Sequence, residues 1–180
     1  FSLRHMKDRF IIQSNQHTSY RESKMGAQHL SNRGNWQMGA RIVGDAAEQT
    51  FASKIAPFLS SDYLVEPKPA KLKIYSDNKG IVMDTKITNT KTGLCLYVEN
   101  KQGNNGGNAH ERVYKFLSAP LKQLVREQYN TVKQPFFLVF SGRTFQGQKY
   151  KDEINLLLKD ENYVIMDMDY NNIQKVATQI

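Results

Sequence analysis

The stretch Ile81-Val-Met-Asp-Thr-Lys-Ile-Thr-Asn-Thr-Lys-Thr-Gly-Leu-Cys-Leu-Tyr-Val-Glu-Asn-Lys101 contains two strand candidates joined by a turn. Its apolar runs, 81–87 and 94–101, flank the turn-forming sequence Asn89-Thr-Lys-Thr-Gly93. If the two runs pair as an antiparallel hairpin, Asp84 on the first run comes beside the end of the second. The stretch therefore predicts a hairpin with polar side chains along one rim.

Glu99 and Lys101 lie two residues apart on the second strand, so their side chains share a face. Asp84 precedes Glu99 with fourteen residues between them, and the hairpin would gather two carboxylates and one ammonium. Carboxylates are ligands that Mg²⁺ prefers, and the ion can hold a phosphodiester for hydrolysis. Taken alone, the pattern is also typical of cross-strand charge pairing. The apolar alternate positions of 94–98, which predict an amphipathic strand, and the cost of burying an unpaired Asp84 favour a site.

Composition places the chain among ordinary soluble proteins with a basic bias. Hydrophobic residues make up 39% of the 180 residues, and no apolar run approaches the roughly 20 residues that span a bilayer, so we expect no membrane association. The single cysteine, Cys95, cannot form an internal disulfide, which favours a reducing, intracellular setting.

The amino-terminal segment carries much of the positive charge. The formal net charge is +8, and residues 1–44 hold seven basic and two acidic side chains, a net of +5. Such a segment can embrace DNA, although a solvated basic tail has the same composition. We predict a basic arm at 1–43 and a single domain, combining catalysis and recognition, at 44–180.

The periodicity of apolar residues predicts alternating strands and helices after residue 44. Strands are expected at 71–76, 81–87, 94–101, 135–140 and 163–168. Helices are expected at 46–55, 109–128, 149–159 and 170–178, with Pro120 kinking or dividing the second of them. This order predicts an α/β fold, a central mixed β-sheet flanked by helices.

The motif Gly107-Asn-Ala-His-Glu-Arg112 follows a glycine-rich loop and opens a predicted helix. Asn makes bidentate hydrogen bonds to adenine, and Arg112 lies four residues beyond Asn108, so one helix end would direct both side chains into a major groove. Glu111 is expected to orient Arg112. The alternatives are a helix cap for Asn108 and a surface ion pair for Arg112.

With these motifs together, the chain resembles the EcoRI/MunI-like type II restriction endonucleases, of the PD-(D/E)xK nuclease superfamily. Their recognition segment reads Gly-Asn-Ala-x-Glu-Arg, and the His at the variable position resembles the MunI branch. Their Asp…Glu-x-Lys site also precedes this segment, and Ala47-Glu-Gln49 resembles their amino-terminal helix. The likeness covers about 44–125. Met83 stands where a proline often precedes the first catalytic Asp in the family. The loop 102–107 departs from the family sequences, so the identity of the outer base pair of the recognition site is not predicted.

The resemblance implies roles for named residues. Asp84, Glu99, Lys101 and Glu48 would be catalytic, Glu48 through a metal-bound water unless it is an exposed helix carboxylate. Asp84, Glu99 and the main-chain carbonyl of Asn100 would bind Mg²⁺, which Mn²⁺ is expected to replace. The residues expected to contact DNA are Gly107, Asn108, Ala109, His110, Glu111 and Arg112.

The resemblance also implies a substrate and partners. The expected reaction is a double-strand cut in DNA at a short palindrome containing AATT, leaving 5′ overhangs. A palindrome is matched by a homodimer, and the host, a prokaryote with the enzyme in its cytoplasm, would need a cognate methyltransferase. The alternatives are a repair or recombination nuclease that recognises structure or damage, an inactive sequence-specific DNA-binding module, and a basic structural or RNA-associated protein.

Overall fold

A mixed sheet of five strands forms the centre of the computed structural model, which describes residues 50–104, 106–167 and 169–180. The strands are β1 (Tyr63–Pro67), β2 (Thr85–Asn89), β3 (Cys95–Gln102), β4 (Thr131–Ser141) and β5 (Tyr163–Met166), in that spatial order. β1–β2 and β2–β3 are antiparallel, whereas β3–β4 and β4–β5 are parallel. The predicted hairpin is confirmed as β2–β3.

Helices cover both faces of this sheet. They are α1 (described at residues 50–55), α2 (Ala119–Gln128), α3 (Gln148–Leu157) and α4 (Ile173–Ala177), with 3₁₀ helices at Ala56–Phe58, Ser76–Asn78, Ala109–Leu117 and Arg143–Gln146. No described helix has both the length and the apolarity needed to cross a bilayer. The predicted α/β class with a central mixed sheet is confirmed.

Alternate residues of β4 divide the core into two layers. Phe136 and Phe140 pack in one layer, against the 109–117 3₁₀ helix, α2 and α3. Phe137 and Val139 pack in the other, against α1 and α4. β3 lies inside the sheet between these two layers and is therefore buried on both faces along residues 95–100, so the prediction of an amphipathic strand there is wrong.

The predicted strand at 71–76 is also wrong. Leu72 and Ile74 are buried as the alternation suggested, but Leu72 makes only an isolated bridge to Ile81. The first strand is β1, an edge strand that ends at Pro67. Proline is tolerated there because it has no amide proton to donate to a neighbouring strand. Residues 81–84 approach β2 without belonging to it, which leaves Asp84 in a bend.

Pro135 lies inside β4 without breaking it. The pairing of β3 with β4 jumps from Cys95↔Thr131 to Tyr97↔Phe136, and pairing with β5 begins only at Leu138. Pro135 falls in this irregular stretch, so its missing amide proton costs no regular ladder bond. β4 therefore begins four residues before the predicted start at residue 135.

Candidate active site

Asp84 is fixed beside the carboxyl end of β3 by main-chain contacts. Its Oδ2 accepts a hydrogen bond from the backbone N–H of Asn100 at 2.6 Å. Its own N–H donates to the carbonyl of Val98 at 3.2 Å. The bend before β2 therefore brings Asp84 to the residue that follows Glu99, as the hairpin predicted.

Glu99 and Lys101 share one face of β3 and form an ion pair. Lys101 Nζ lies 2.5 Å from Glu99 Oε1. Glu99 is 6% exposed, and its other oxygen, Oε2, is buried without a hydrogen-bond partner among the described residues. A buried carboxylate oxygen without a donor is costly, so this atom is suited to a cation.

The electrostatic environment of Glu99 also favours a bound cation. Burial raises the pKa of the Glu99 carboxyl above its ordinary value of 4.5, and the charge of Asp84 raises it further, while Lys101 and Lys115 lower it. Two carboxylates that repel each other in a buried site are stabilised in their charged forms by a bound cation. The two acids therefore fit a hard divalent ion such as Mg²⁺.

The described residues contain no cluster of three or more His, Cys, Asp or Glu side chains suited to a metal. Asp84 and Glu99 alone would leave the coordination of Mg²⁺ to be completed by other oxygens, for which we predict the main-chain carbonyl of Asn100. Glu48, the other predicted acid, lies outside the described residues.

The segment Gly107–Arg112 begins five residues after β3 and is a 3₁₀ helix from Ala109 onward. Gly107 has φ +100°, a conformation that glycine adopts without strain. The predicted division of the 109–128 helix is confirmed: Ser118 caps α2, and Pro120 lies in its first turn, where a missing amide proton is harmless.

Asn108, at the start of this segment, and Arg112, four residues further on, are both exposed. Asn108 occupies the N-cap position without a capping bond from its side chain, and its Nδ2 instead donates to Glu111 Oε2 at 3.2 Å. Glu111 therefore contacts Asn108 in this structure, and its expected role in orienting Arg112 stays a prediction. Three residues per turn place Glu111, not Arg112, over Asn108.

His110 faces the interior, at 3% exposure. Its Nε2 lies 3.1 Å from Glu153 Oε1, which also accepts a hydrogen bond from Tyr114 at 3.0 Å. Edge-on contacts with the rings of Tyr114, Phe145 and Tyr150 surround its imidazole. In this arrangement His110 anchors the segment to α3, and its contact with DNA stays a prediction.

Three features of the site were missed from the sequence. Lys115 adds a second positive charge acting on Glu99. Glu153, on α3, holds His110. Ser141 and Tyr170 hydrogen-bond the side chain of Asn100 on the opposite face of the sheet. None of these residues belongs to a motif, and their partners lie far away in the sequence, so no local signal was available.

The fold defines a class. The crystal structure of MunI restriction endonuclease in complex with cognate DNA matches with a TM-score of 0.54 and 24% sequence identity, over 67% of this chain and 79% of that chain. At this identity the likeness speaks for the fold, which is that of a restriction endonuclease.

The family follows from the sequence itself. A family model, described as the type II restriction enzyme MunI, matches residues 25–175. The chain therefore belongs to the MunI family of type II restriction enzymes, a family of site-specific nucleases, which confirms the resemblance. No individually curated protein matches the sequence.

Proposed function

We propose that the protein is a Mg²⁺-dependent type II restriction endonuclease that cuts both DNA strands at a short palindrome containing AATT and leaves 5′ overhangs. The observation that carries the proposal is the unpaired, buried Oε2 of Glu99 beside Asp84. This atom lies near the end of β3, the strand that leads into the Gly107–Arg112 segment.

Asp84, Glu99 and the Asn100 carbonyl would hold Mg²⁺. When bound, the ion would supply Lewis-acid chemistry, helping to activate water for attack and offsetting charge on the scissile phosphate. Lys101 is held by Glu99 and would direct its ammonium to the attacking water or to the charge that develops on the phosphate. Burial of Glu99 excludes bulk water, so these interactions act in a less polar medium than water.

Asn108 and Arg112 would read the DNA. The carboxamide of Asn108 can pair with N6 and N7 of adenine, a contact worth about 1–3 kcal/mol of discrimination. The Asn108–Glu111 hydrogen bond leaves the amide oxygen of Asn108 available as an acceptor and limits its rotation. The contact between His110 and Glu153 of α3 would fix the position of Asn108 and Arg112 relative to the sheet.

Two-fold symmetry of a palindrome calls for two copies of the chain, one for each strand. We therefore propose a homodimer that contacts one half-site per protomer. Such an enzyme would act in a prokaryotic cytoplasm, where a cognate methyltransferase protects the host DNA without contacting the enzyme. Mn²⁺ is expected to support cleavage because it accepts the same oxygen ligands.

The experiment is digestion of a sequenced plasmid with Mg²⁺, followed by sequencing of the fragment ends. Discrete cuts centred on AATT, with 5′ overhangs, support the proposal and supply the outer base pair. Diffuse or structure-dependent cutting indicates a repair or recombination nuclease instead. Specific binding to AATT duplexes without cutting indicates an inactive module, and binding that ignores duplex sequence indicates a structural or RNA-associated protein.

Two alanine variants tie the activity to the site. Asp84→Ala and Glu99→Ala should abolish cleavage while specific binding persists, because both side chains would act on the phosphate and not on the bases. Glu127→Ala is the matched control, an exposed carboxylate whose partner is Gln123 on the same helix. Normal cleavage by either site variant would contradict the assignment.

A further inference from the structure

Three buried polar side chains meet behind the end of β3. Asn100 Nδ2 donates to Tyr170 Oη at 2.7 Å, and Ser141 Oγ donates to Asn100 Oδ1 at 3.2 Å. The hydroxyls of Ser141 and Tyr170 lie 3.3 Å apart, which closes a ring of three contacts. Exposure is 8% for Asn100, 0% for Ser141 and 2% for Tyr170, so the ring is shielded from solvent.

Packing alone gives no reason for an amide at this position. The neighbouring inward residues on the same face of the sheet, Val98 and Val139, are apolar. An amide placed among them is destabilising unless both its ends are hydrogen-bonded. Tyr170 and Ser141 supply those two partners, so the ring fixes the orientation of the Asn100 side chain.

The backbone of Asn100 joins the three proposed catalytic residues. Its N–H donates to Asp84 Oδ2, Glu99 precedes it, and Lys101 follows it on the strand. Rotation or displacement of this residue would change the distance between the carboxylates of Asp84 and Glu99. Restraint on the Asn100 side chain therefore restrains the proposed metal site on the other face.

Tyr170 is itself held firmly. Its ring packs edge-on against Phe51 of α1, with centroids 6.1 Å apart. Its φ is +56°, an unfavourable backbone conformation for a residue other than glycine. Such a conformation persists where surrounding contacts enforce it. The phenol oxygen is thus supplied from a fixed direction.

We propose that Tyr170, together with Ser141, is a positioning residue for the metal site, acting through the side chain of Asn100. The inference rests on the proposed role of Asp84 and Glu99 in binding Mg²⁺. Tyr170 and Ser141 touch neither substrate nor metal in this scheme. They hold the peptide that sets the spacing of the two carboxylates.

The test is Tyr170→Phe, which removes one hydroxyl and keeps the ring that packs on Phe51. Calorimetric titration of DNA-free protein with Mg²⁺ should give a Kd raised about tenfold, the lower end of the usual effect of a residue that supports metal ligands. Ser141→Ala should shift the Kd in the same direction by a smaller factor. An unchanged Kd in Tyr170→Phe would overturn the proposal.

Tyr163→Phe is the matched control. It also removes a phenol hydroxyl, one that donates to Asn155 at 2.8 Å, outside the ring. Its Kd for Mg²⁺ should equal that of the wild type. An equal rise in both variants would show a general effect of losing a hydroxyl and would also refute the role of Tyr170.

A second readout does not depend on the metal. Hydrogen exchange of the backbone N–H of Asn100, measured by NMR without Mg²⁺, should be faster in Tyr170→Phe than in the wild type and unchanged in Tyr163→Phe. If the wild type binds no Mg²⁺, the proposed metal site fails, and the exchange rate still decides whether Tyr170 positions Asn100. An exchange rate equal to that of the wild type would rule this out.

Discussion

Glu99 is a residue with two differently satisfied oxygens, and this difference has a measurable consequence. Oε1 is paired with Lys101, while Oε2 has no partner among the described residues. A cation that binds only the native state stabilises it, by about 2.7 kcal/mol when its concentration is 100 times Kd. The stability of the DNA-free protein should therefore report on the site directly.

We predict that saturating Mg²⁺ raises the free energy of unfolding of the wild type by about 2–3 kcal/mol and has little effect on Asp84→Asn. Urea unfolding with and without EDTA measures this difference. Glu127→Gln should respond as the wild type does. A comparable gain in Asp84→Asn would show that the ion binds elsewhere.

The same stabilisation should depend on pH. Because burial and Asp84 raise the pKa of Glu99 above 4.5, protons compete with the ion at a higher pH than at an ordinary glutamate. The gain in stability from a fixed Mg²⁺ concentration should therefore shrink as the pH falls from about 8 towards the raised pKa of Glu99. A gain that is constant over this range would exclude Glu99 as a ligand.

The spacing of single residues predicted part of the site. The two-residue period of a strand was enough to bring Glu99 and Lys101 together, and the turn sequence was enough to bring Asp84 beside them. The burial of His110 was not predictable, because it depends on Glu153, 43 residues away. A local pattern contains no information about such a partner.

At the scale of elements, the 3₁₀ helix at Ala109–Leu117 differs most from expectation. The sequence indicated an α-helix, in which Asn108 and Arg112 would be neighbours on one face. The observed helix places Glu111 near Asn108 and turns His110 inward. Val113 and Phe116, three residues apart, pack in the core, and local propensity contains no information about such a tertiary contact.

The stability that the contact between this 3₁₀ helix and α3 contributes should depend on pH. Hydrogen bonds from Tyr114 and His110 lower the pKa of the Glu153 carboxyl below 4.5. A lowered carboxyl pKa contributes stability above the ordinary value, and this contribution is lost as the pH falls through the folded value. Glu153→Gln should lack this contribution. At neutral pH its free energy of unfolding should be lower than that of the wild type by less than about 1 kcal/mol, because the Glu153 side chain is partly exposed.

Urea unfolding between pH 3 and 7 tests this prediction. The difference in stability between the wild type and Glu153→Gln should narrow as the pH falls. Asp152→Asn, the neighbouring exposed acid whose partner is Gln148 on the same helix, should leave the pH dependence of the wild type almost unchanged. A constant difference across this range would contradict the role of the Glu153 charge.

For the whole molecule, we expect charge to govern the proposed encounter with DNA. The net charge of +8 includes the basic residues of the proposed arm at 1–43, which lies outside the described residues. Neutralising phosphates releases counterions, so log K falls against log salt by about 0.9 for each contact. The slope therefore reports the total number of phosphate contacts, and its decrease when basic residues of the arm are removed would report the share that the proposed arm contributes.

We predict that Arg4→Gln, Lys7→Gln and Arg9→Gln together reduce this slope by up to about 2.7 units, while the preference for AATT duplexes stays the same. Fluorescence anisotropy at several salt concentrations measures both quantities. Lys91→Gln, at a turn where the lysine pairs with Asp62, is the control. An unchanged slope in the triple variant would show that the arm is a solvated tail.

The class of the fold was predictable because alternating strand and helix patterns leave few arrangements. Strand limits were less so: β1 was hidden by the prolines at its end, and the alternation at 71–76 reflects burial without pairing. The boundary between the arm and the domain stays a prediction. Long-range pairing decides such details, and sequence windows do not include it.

β3 belongs to two kinds of pairing, and this has a consequence for folding. β3 and β2 are joined by a short turn, so their antiparallel pairing is local in sequence. The parallel pairing of β3 with β4 joins strands that are separated by residues 103–130. Local contacts form faster than distant ones. We expect the hairpin to form early during refolding, and the capacity to bind Mg²⁺ to return only later, once Ser141 of β4 and Tyr170 hold the side chain of Asn100.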